Sequence, residues 1–226
     1  MPDRILDRPV WGALTTAQAD LASGDGCSRR FPADISPFIV ARDDSDACLA
    51  AMAGLVREGE TVVLLQREPS PLPPRFVLES EAPGVQMVAG NLKSALASEE
   101  VIPLGDADAP EMLELATMTK PGPFLANTHR LGGFIGIRQN GRLAAMAGER
   151  LKPGDFCEVS AVCTHPDFRG RGYAGLLTQM VAARIVRRGR TPFLHTYAAN
   201  EAAIRLYEKL GFRHRCGMTV QVLKRI

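Results

Sequence analysis

The chain has 226 residues, of which 46% are hydrophobic, and a formal net charge of +2 at neutral pH. This composition is typical of a globular protein with one large domain or two small ones, and it offers no basic surface for bulk nucleic-acid binding. The five cysteines include no C-x-x-C pair, which argues against a disulfide scaffold and against a zinc site.

The sequence carries no targeting or membrane signal that we recognise. No apolar stretch approaches the ~20 residues of a membrane-spanning helix. The segment 1–9 has acids where a secretory signal has bases, and it lacks an apolar core. We therefore expect a cytoplasmic protein that binds no metal, membrane or nucleic acid. The oligomeric state is open, and a homodimer is compatible with the sequence.

Residues 1–95 form the first predicted unit, a small α/β region whose role the sequence does not indicate. Helical patterns occur at about 10–22 and 45–57, and apolar strand patterns at 38–41, 61–65 and 75–78. The proline-rich stretch 68–74 predicts a stiff loop. Residues 91–100 predict a helical or irregular connector to a second unit, residues 100–226.

The second unit begins with a predicted strand near 100–104 and a helix at about 109–119. A Pro121-Gly-Pro123 break precedes a short helix near 124–130. Two strands, 134–137 and 143–146, flank Asn140-Gly141, the dipeptide that type I′ hairpin turns favour. A third strand, 158–164, is rich in small and β-branched residues and ends at a His-Pro break.

Residues 169–174, Arg-Gly-Arg-Gly-Tyr-Ala, lie between that strand and an amphipathic helix, where apolar residues recur at helical spacing from Tyr173 to Ile185. A glycine-rich turn at a helix start directs backbone N–H groups and the positive helix end at one point, which suits a phosphate or pyrophosphate. Arg169 and Arg171 would add charge-assisted contacts. The alternative is a surface turn with solvated arginines.

Two common phosphate-binding motifs fit this turn poorly. A P-loop requires Lys followed by Ser or Thr, and that pair is absent here. A dinucleotide fingerprint matches Gly170-x-Gly172-x-x-Gly175, but it also requires an acidic residue about 20 positions further on, where the chain has Pro192. A nucleotide-dependent oxidoreductase is therefore the less favoured interpretation.

Arg169-x-x-Gly172-x-Ala174 resembles the acetyl-CoA motif of the GNAT superfamily of N-acetyltransferases, Gln/Arg-x-x-Gly-x-Gly/Ala. The stretch from Asn200 to Phe212, with Tyr207 seven residues after the asparagine and a closing Leu-Gly-Phe, resembles the helix that follows in that family. The resemblance covers roughly residues 100–226. Within the superfamily, the residues before the turn are most similar to the glycine N-acyltransferase-like branch.

The resemblance implies a fold of the α/β (α+β) class, with a mixed, mostly antiparallel sheet flanked by helices and preceded by the smaller N-terminal region. It implies the order β-α-α-β-β-β-α-β-α-β-β for residues 100–226, ending in a hairpin. The first unit could be a degenerate copy of the same fold, although no repeat is visible. The acyl donor would be acetyl-CoA and the acceptor a small-molecule or peptide amine, selected by segments 109–134 and 213–226.

The resemblance also implies the cofactor-binding residues, which are Val162, Cys163, Thr164, Arg169, Gly170, Arg171, Gly172, Tyr173, Ala174, Asn200, Ala203 and Tyr207. The strand edge at 162–164 would pair with the pantetheine amides, and a bulge there would free a backbone N–H for the thioester carbonyl. We interpret the Cys163 side chain as core packing, and Asn200 as a helix N-cap that also faces the cofactor.

Two residues are the implied catalytic groups. Tyr207 would protonate the departing CoA thiolate, and its alternative role is that of a core tyrosine. Glu158 would act as a base through water, and its alternative role is a salt bridge. Glu149, His129 and His195 are lesser candidates for the base. These residues predict an N-acetyltransferase in which the amine attacks directly. The alternative is a non-catalytic module that only binds CoA.

Overall fold

A computed structural model describes residues 2–93 and 98–226. The connector predicted at 91–100 lies partly outside the described residues, and so does the predicted boundary at residue 95. The strands are β1 (Ser23–Gly24), β2 (Ser28–Arg30), β3 (Ile39–Ala41), β4 (Thr61–Gln66), β5 (Phe76–Ala89), β6 (Val101–Pro103), β7 (Ile135–Gln139), β8 (Arg142–Glu149), β9 (Phe156–Thr164), β10 (Thr191–Tyr197) and β11 (Phe212–Arg225). The α-helices are α1 (Pro9–Thr15), α2 (Asp46–Gly54), α3 (Ala109–Thr119), α4 (Tyr173–Arg187) and α5 (Glu201–Lys209).

Most locally encoded elements form where the sequence predicts them. Helix α3 has the predicted bounds, and it ends at Lys120 in the left-handed conformation. The hairpin between β7 and β8 turns through Asn140 and Gly141, with φ of +53° and +77°, as a type I′ turn requires. The short helix predicted at 124–130 is a 3₁₀ turn at Thr128–Leu131.

The main sheet has eight strands in the order β4-β11-β5-β10-β9-β8-β7-β6. Among these neighbours only β9 and β10 are parallel, because α4 connects them as a crossover, and the others are antiparallel. The mixed, mostly antiparallel sheet predicted from the sequence is therefore present. Strands β1, β2 and β3 form a separate small sheet.

The prediction of a terminal hairpin at 213–226 is wrong. Strand β11 runs without a turn for 14 residues, and it pairs with β4 on one side and β5 on the other. The place between β10 and β11 is filled by β5, which comes from the first half of the sequence. Strands from both predicted units, 1–95 and 100–226, pair in one sheet. The two units are therefore separate in the sequence but not in the sheet.

Helices cover both faces of this sheet. Helices α4 and α5 pack on one face, where Leu177, Val181 and Tyr207 share a core with Met87 and Leu194. On the other face, α1 packs in a core with β4 and β10 residues, and α3 packs in a further core with β8 and β9 residues. Alternate strand residues therefore face different helices, as a period of two requires. This arrangement puts the start of α4 beside the part of β9 that does not pair with β10.

Candidate functional site

The start of α4 is an open helix end. Its N-cap is Gly172, with φ of +81°, and no side chain caps it. Gly170 has φ of +79°, and a Cβ built on either glycine would meet no protein atom within 4 Å. The sequence therefore needs glycine here for its backbone conformation, and the first-turn N–H groups are left available to a ligand.

These groups open into a cavity of about 530 Å³. All of the predicted cofactor-binding residues except Tyr207 line this cavity, which are Val162, Cys163, Thr164, Arg169, Gly170, Arg171, Gly172, Tyr173, Ala174, Asn200 and Ala203. The cavity also includes Thr119, Lys120 and Pro121, which the sequence analysis placed in the acceptor segment 109–134 and not in the cofactor site. We call it the turn cavity. The structure thus brings the two sequence motifs, at 169–174 and 200–207, to one place.

The charge of the turn suits an anion. Arg169 and Arg171 are exposed, and no described carboxylate forms an ion pair with either. The Arg171 guanidinium lies 5.3 Å from the centroid of the Phe168 ring, which holds it beside the turn. Two unpaired cations and an uncapped helix start make this the part of the described chain best suited to a pyrophosphate.

The sheet opens beside this cavity. Strands β9 and β10 pair over three residues only, and the pairing stops at Glu158 and Phe193, although β9 continues to Thr164 and β10 to Tyr197. Ala161 has φ of +52°, and Ala161 and Val162 together oppose Ala147, since the β8–β9 register shifts here. The bulge anticipated from the sequence is therefore present.

Two side chains at the end of β9 bear on what this edge can bind. The Thr164 hydroxyl is buried and has no described hydrogen-bond partner, which fits a ligand that offers amide groups along the strand edge. Cys163 packs with Met146 and Ala161, and burial raises the pKa of its thiol to about 11. Cys163 is therefore a neutral core residue, which confirms the packing interpretation.

A second cavity, of about 150 Å³, adjoins the first. We call it the inner cavity, and Lys120, Pro121, Val162, Asn200 and Ala203 line both. Its walls come from both predicted units and include Phe38, Val63, Leu65, Gly84, Arg150, His195, Tyr207, Met218 and Val220. The contribution of residues 38–84 was missed in the sequence, because no short motif marks strands that meet a site only through long-range pairing.

Tyr207 lies in the wall of the inner cavity, on the buried side of α5. Its side chain stacks edge-on with Phe212 at 6.2 Å, and no described atom accepts a hydrogen bond from its hydroxyl. Burial raises the pKa of Tyr207 to about 12, with the neighbouring Cys163 adding to the effect. The side chain is therefore a neutral phenol with a proton to donate. Asn200 caps the same helix, since its Oδ1 accepts from the Ala203 N–H (3.2 Å).

Glu158 does not line either cavity in the described part of the chain. It is fully buried, and its carboxylate accepts from Arg150 Nε (2.9 Å) and Nη2 (2.6 Å), and from the Leu151 N–H (3.2 Å). Burial alone would raise its pKa, but the Arg150 guanidinium outweighs burial, the hydrogen bond from His195 adds to its effect, and the pKa is lowered to about 2. A carboxylate held this way is a poor proton acceptor, so this geometry favours the salt-bridge alternative over a base in contact with water.

His195 joins this ion pair to the first half of the chain. Arg215 Nη1 donates to Gln86 Oε1 (2.8 Å), and Gln86 Nε2 donates to the Leu6 carbonyl (2.9 Å), which fixes the orientation of the amide. The second N–H of Gln86 then faces His195 Nε2 (2.8 Å). His195 therefore accepts at Nε2 and donates from Nδ1 to Glu158 Oε1 (2.6 Å), which is the pattern of a neutral imidazole.

The other two candidates for the base lie elsewhere. Glu149 is buried in ion pairs with Arg188 and with Lys152 (3.4 Å). His129 is buried, and its Nε2 lies 2.7 Å from Asp106 Oδ1. Neither side chain lines the two cavities in the described chain. Across residues 2–93 and 98–226, no group of three or more His, Cys, Asp and Glu side chains is placed to hold a metal ion, and no described helix is long and apolar enough to cross a membrane.

Comparison with known proteins identifies relatives of the whole chain. A protein from Novosphingobium aromaticivorans DSM 12444, assigned to the GNAT family of acetyltransferases, is 42% identical in sequence, with a TM-score of 0.91 over 100% of this chain and 99% of its own. The model of the FR47-like protein family matches residues 134–221. None of the curated proteins matches this chain.

More distant structures share the fold. A GCN5-related N-acetyltransferase from Kribbella flavida is 16% identical, with a TM-score of 0.65 over 97% of this chain and 95% of its own. An acetyltransferase of the GNAT family from Colwellia psychrerythraea is 13% identical, with a TM-score of 0.53 over 99% and 96%. Because these matches span nearly the full length, the fold that they share includes the N-terminal half.

Proposed function

The chain belongs to the GNAT family of acetyltransferases, and from this premise we propose that it transfers an acetyl group from acetyl-CoA to a primary amine by direct attack. One observation carries the proposal. The gap between β9 and β10 opens beside an uncapped, doubly basic helix start, and Tyr207 lies in the wall of the adjoining cavity. A CoA thioester needs an anion site, a strand edge and a proton donor, and the gap offers all three.

The turn cavity is the proposed site of acetyl-CoA. Backbone N–H groups of residues 170–174 would bind the pyrophosphate, and Arg169 and Arg171 would supplement them. The free edge of β9 at 162–164 would align the pantetheine amides. The bulge at Ala161 and Val162 would direct a backbone N–H at the thioester oxygen, where negative charge develops during attack.

Tyr207 is the proposed general acid. As the amine nitrogen bonds to the acyl carbon, the carbon–sulfur bond breaks, and the phenol would give its proton to the sulfur. The amine releases a proton to solvent, and the tyrosinate takes one back, so the step balances. The pKa of about 12 for Tyr207 keeps the phenol protonated, and the same dry surroundings raise the pKa of the thiol that forms.

The positive lining of the inner cavity favours a neutral amine. Lys120 and Arg150 both line it, and no described aspartate or glutamate does, so an incoming ammonium ion would meet no counter-ion there. We therefore propose that the acceptor binds as the free amine, without a carboxylate base in contact with it. We also propose a cytoplasmic enzyme that acts on small-molecule or peptide amines and not on nucleic acid, because the described cysteines are all free thiols and the charge is nearly balanced.

Acetyl-CoA binding tests the proposal directly. At a hundredfold excess over its dissociation constant, acetyl-CoA should stabilise the fold by ~2.7 kcal/mol, or about 5–11 °C in Tm for a chain of this size. Free-thiol release with an amine panel then tests transfer. CoA lacking its 3′-phosphate should bind somewhat more weakly if an arginine reaches that phosphate.

Two matched glycine variants localise the site. Gly172→Asp places a side chain and a negative charge where the pyrophosphate would lie, so it should abolish the thermal shift. Gly189→Asp is the control, because Gly189 is also exposed, has φ of +72° and has open space around its Cβ position, but lies at the other end of α4. Normal acetyl-CoA binding by Gly172→Asp would move the phosphate site elsewhere, and an absent shift in the unaltered protein would refute acetyl-CoA as donor.

A further inference from the structure

The charged groups of the inner cavity are all cationic. No aspartate or glutamate is among the described residues that line it, whereas Lys120 and Arg150 are both among them. His195 is held as a neutral imidazole by Glu158 and Gln86. A site for a diamine or a lysine-like cation would need a carboxylate to pair with its distal ammonium group. This cavity does not supply one among its described residues.

Arg150 is fixed in place with one donor group unused. Its Nε and Nη2 bind the Glu158 carboxylate, and its guanidinium lies 4.9 Å from the centroid of the Phe38 ring. No described acceptor binds Nη1, and Nη1 is not among the described buried atoms that lack a partner. A Cβ on Gly122, itself a cavity residue, would lie 3.7 Å from Nη1. Nη1 is therefore a rigid, accessible donor at the cavity wall.

Lys120 supplies the second cation at a different point. It lines both cavities, and therefore lies at the junction where an acyl group and an acceptor would meet. Lys120 is exposed, and no described carboxylate forms an ion pair with it. Its left-handed backbone, with φ of +50° at the C-cap of α3, turns the chain into Pro121 and along the cavity wall.

One part of the remaining wall is apolar, although polar residues such as Ser160 and Thr196 also line the cavity. Phe38, Val63 and Leu65 come from the first half of the chain, and Met218 and Val220 come from β11. The volume of about 150 Å³ matches that of engineered apolar cavities that bind benzene. An occupant of this cavity is therefore small, with an apolar part no larger than a leucine or phenylalanine side chain.

We propose that the acceptor is a small amine that also carries a carboxylate and an apolar side chain, in other words an apolar amino acid. This inference rests on the proposed function. The carboxylate would accept hydrogen bonds from Arg150 Nη1 and from Lys120, the side chain would lie against Phe38 and Leu65, and the amine would face the gap between β9 and β10. Charge-assisted hydrogen bonds of this kind favour the matching ligand by about ten- to hundredfold.

A set of three amines with one side chain tests the carboxylate requirement. L-leucine carries the carboxylate, L-leucinamide replaces it with a neutral amide, and 3-methylbutylamine lacks it. Free-thiol release at saturating acetyl-CoA gives kcat/KM, corrected for the fraction of each amine that is unprotonated. Leucine should exceed the other two by about tenfold or more, and cadaverine, a diamine, should be the poorest acceptor.

Two lysine variants test the assignment to the cavity. Lys120→Gln should reduce the preference for leucine over leucinamide, mainly through KM. Lys209→Gln is the control, because Lys209 is exposed in the last turn of α5 and lines neither described cavity. If leucinamide or 3-methylbutylamine matches leucine, the inference is overturned while acetyl transfer stands. If none of these amines and no other amine of a broad panel releases thiol, the proposed function fails and the inference fails with it.

Discussion

Replacing Glu158 by glutamine distinguishes a structural role of the Glu158 carboxylate from a catalytic role. In the folded chain this carboxylate accepts four hydrogen bonds, from Arg150 Nε, Arg150 Nη2, the Leu151 N–H and His195 Nδ1. An amide has one oxygen to replace two, and it carries no charge. The variant therefore leaves the Arg150 guanidinium buried without a counter-ion, in a side chain that is only 10% exposed.

Breaking a buried ion pair from one side costs about 3–5 kcal/mol, because the remaining charge keeps its desolvation penalty. For a protein of this size each kcal/mol shifts Tm by about 2–4 °C, so we expect a loss of about 6–20 °C. The pH dependence has a defined sign. The pKa of Glu158 is lowered to about 2, so its stabilising effect is complete above the unfolded value near 4.5 and is lost as pH falls toward 2.

Thermal unfolding of the unaltered protein and Glu158→Gln, each with and without acetyl-CoA, measures this effect. Turnover is then compared at a temperature where both are folded, and kcat should fall less than tenfold. The double variant Arg150→Met, Glu158→Gln removes both charges and should recover much of the lost Tm. A Glu158→Gln protein with an unchanged Tm and a kcat reduced a hundredfold would refute this reasoning and restore Glu158 as the base.

Three further outcomes are expected. Tyr207→Phe should lower kcat by about 10²–10⁴-fold with little change in acetyl-CoA affinity or Tm, and full turnover would make Tyr207 a packing residue only. The pKa of Tyr207, raised to about 12, should keep kcat from falling between pH 8 and 10, so a tyrosine-dependent decline in that range would contradict its assignment. Residues 100–226 expressed alone should be insoluble or unfolded by circular dichroism, since β5 would be missing between β10 and β11, and a stable fragment would contradict the need for it.

Elements with local signals were predictable from the sequence. The Asn-Gly turn, the bounds of α3 and the turn before α4 all depend on residues within a few positions of one another. The cofactor-side residues share this property, because a strand, a glycine-rich turn and a helix start are contiguous in the chain. The resemblance of residues 169–174 and 200–212 to a known family could therefore indicate which residues would line one cavity.

Strand β5 shows where such reasoning stops. Only residues 75–78 carried a strand pattern, yet the strand spans 14 residues. Its middle, from Glu79 to Pro83, is rich in charged and turn-forming residues with low strand propensity. Pairing with β11 along this stretch overrides that propensity. The same non-local pairing makes the terminal hairpin unnecessary, since β5 fills the place that a second terminal strand would have taken.

The inner cavity could not be predicted from the sequence for the same reason. Phe38, Val63 and Leu65 are ordinary core residues in the sequence, and they become cavity walls only because β4 and β5 enter the sheet. Gln86 is likewise unremarkable until its amide meets His195. No local spacing connects these positions to the motifs at 169–174 and 200–207, so the sequence could suggest acceptor segments only by analogy with the family.

The two cavities therefore differ in how they are encoded, and this difference has a functional consequence. The groups proposed to bind acetyl-CoA lie within one contiguous stretch, 162–207, and those that bind the pyrophosphate, 169–174, line only the turn cavity. The walls of the inner cavity, the proposed acceptor site, combine β4, β11 and the segment before β3 with Arg150. The orientation of Arg150 depends on Glu158 and Phe38. We therefore expect that substitutions at Phe38, Val63 or Leu65 would alter which amine fits without changing the proposed pyrophosphate site. On this argument Phe38, Val63, Leu65 and Gly84 are part of the proposed acceptor site.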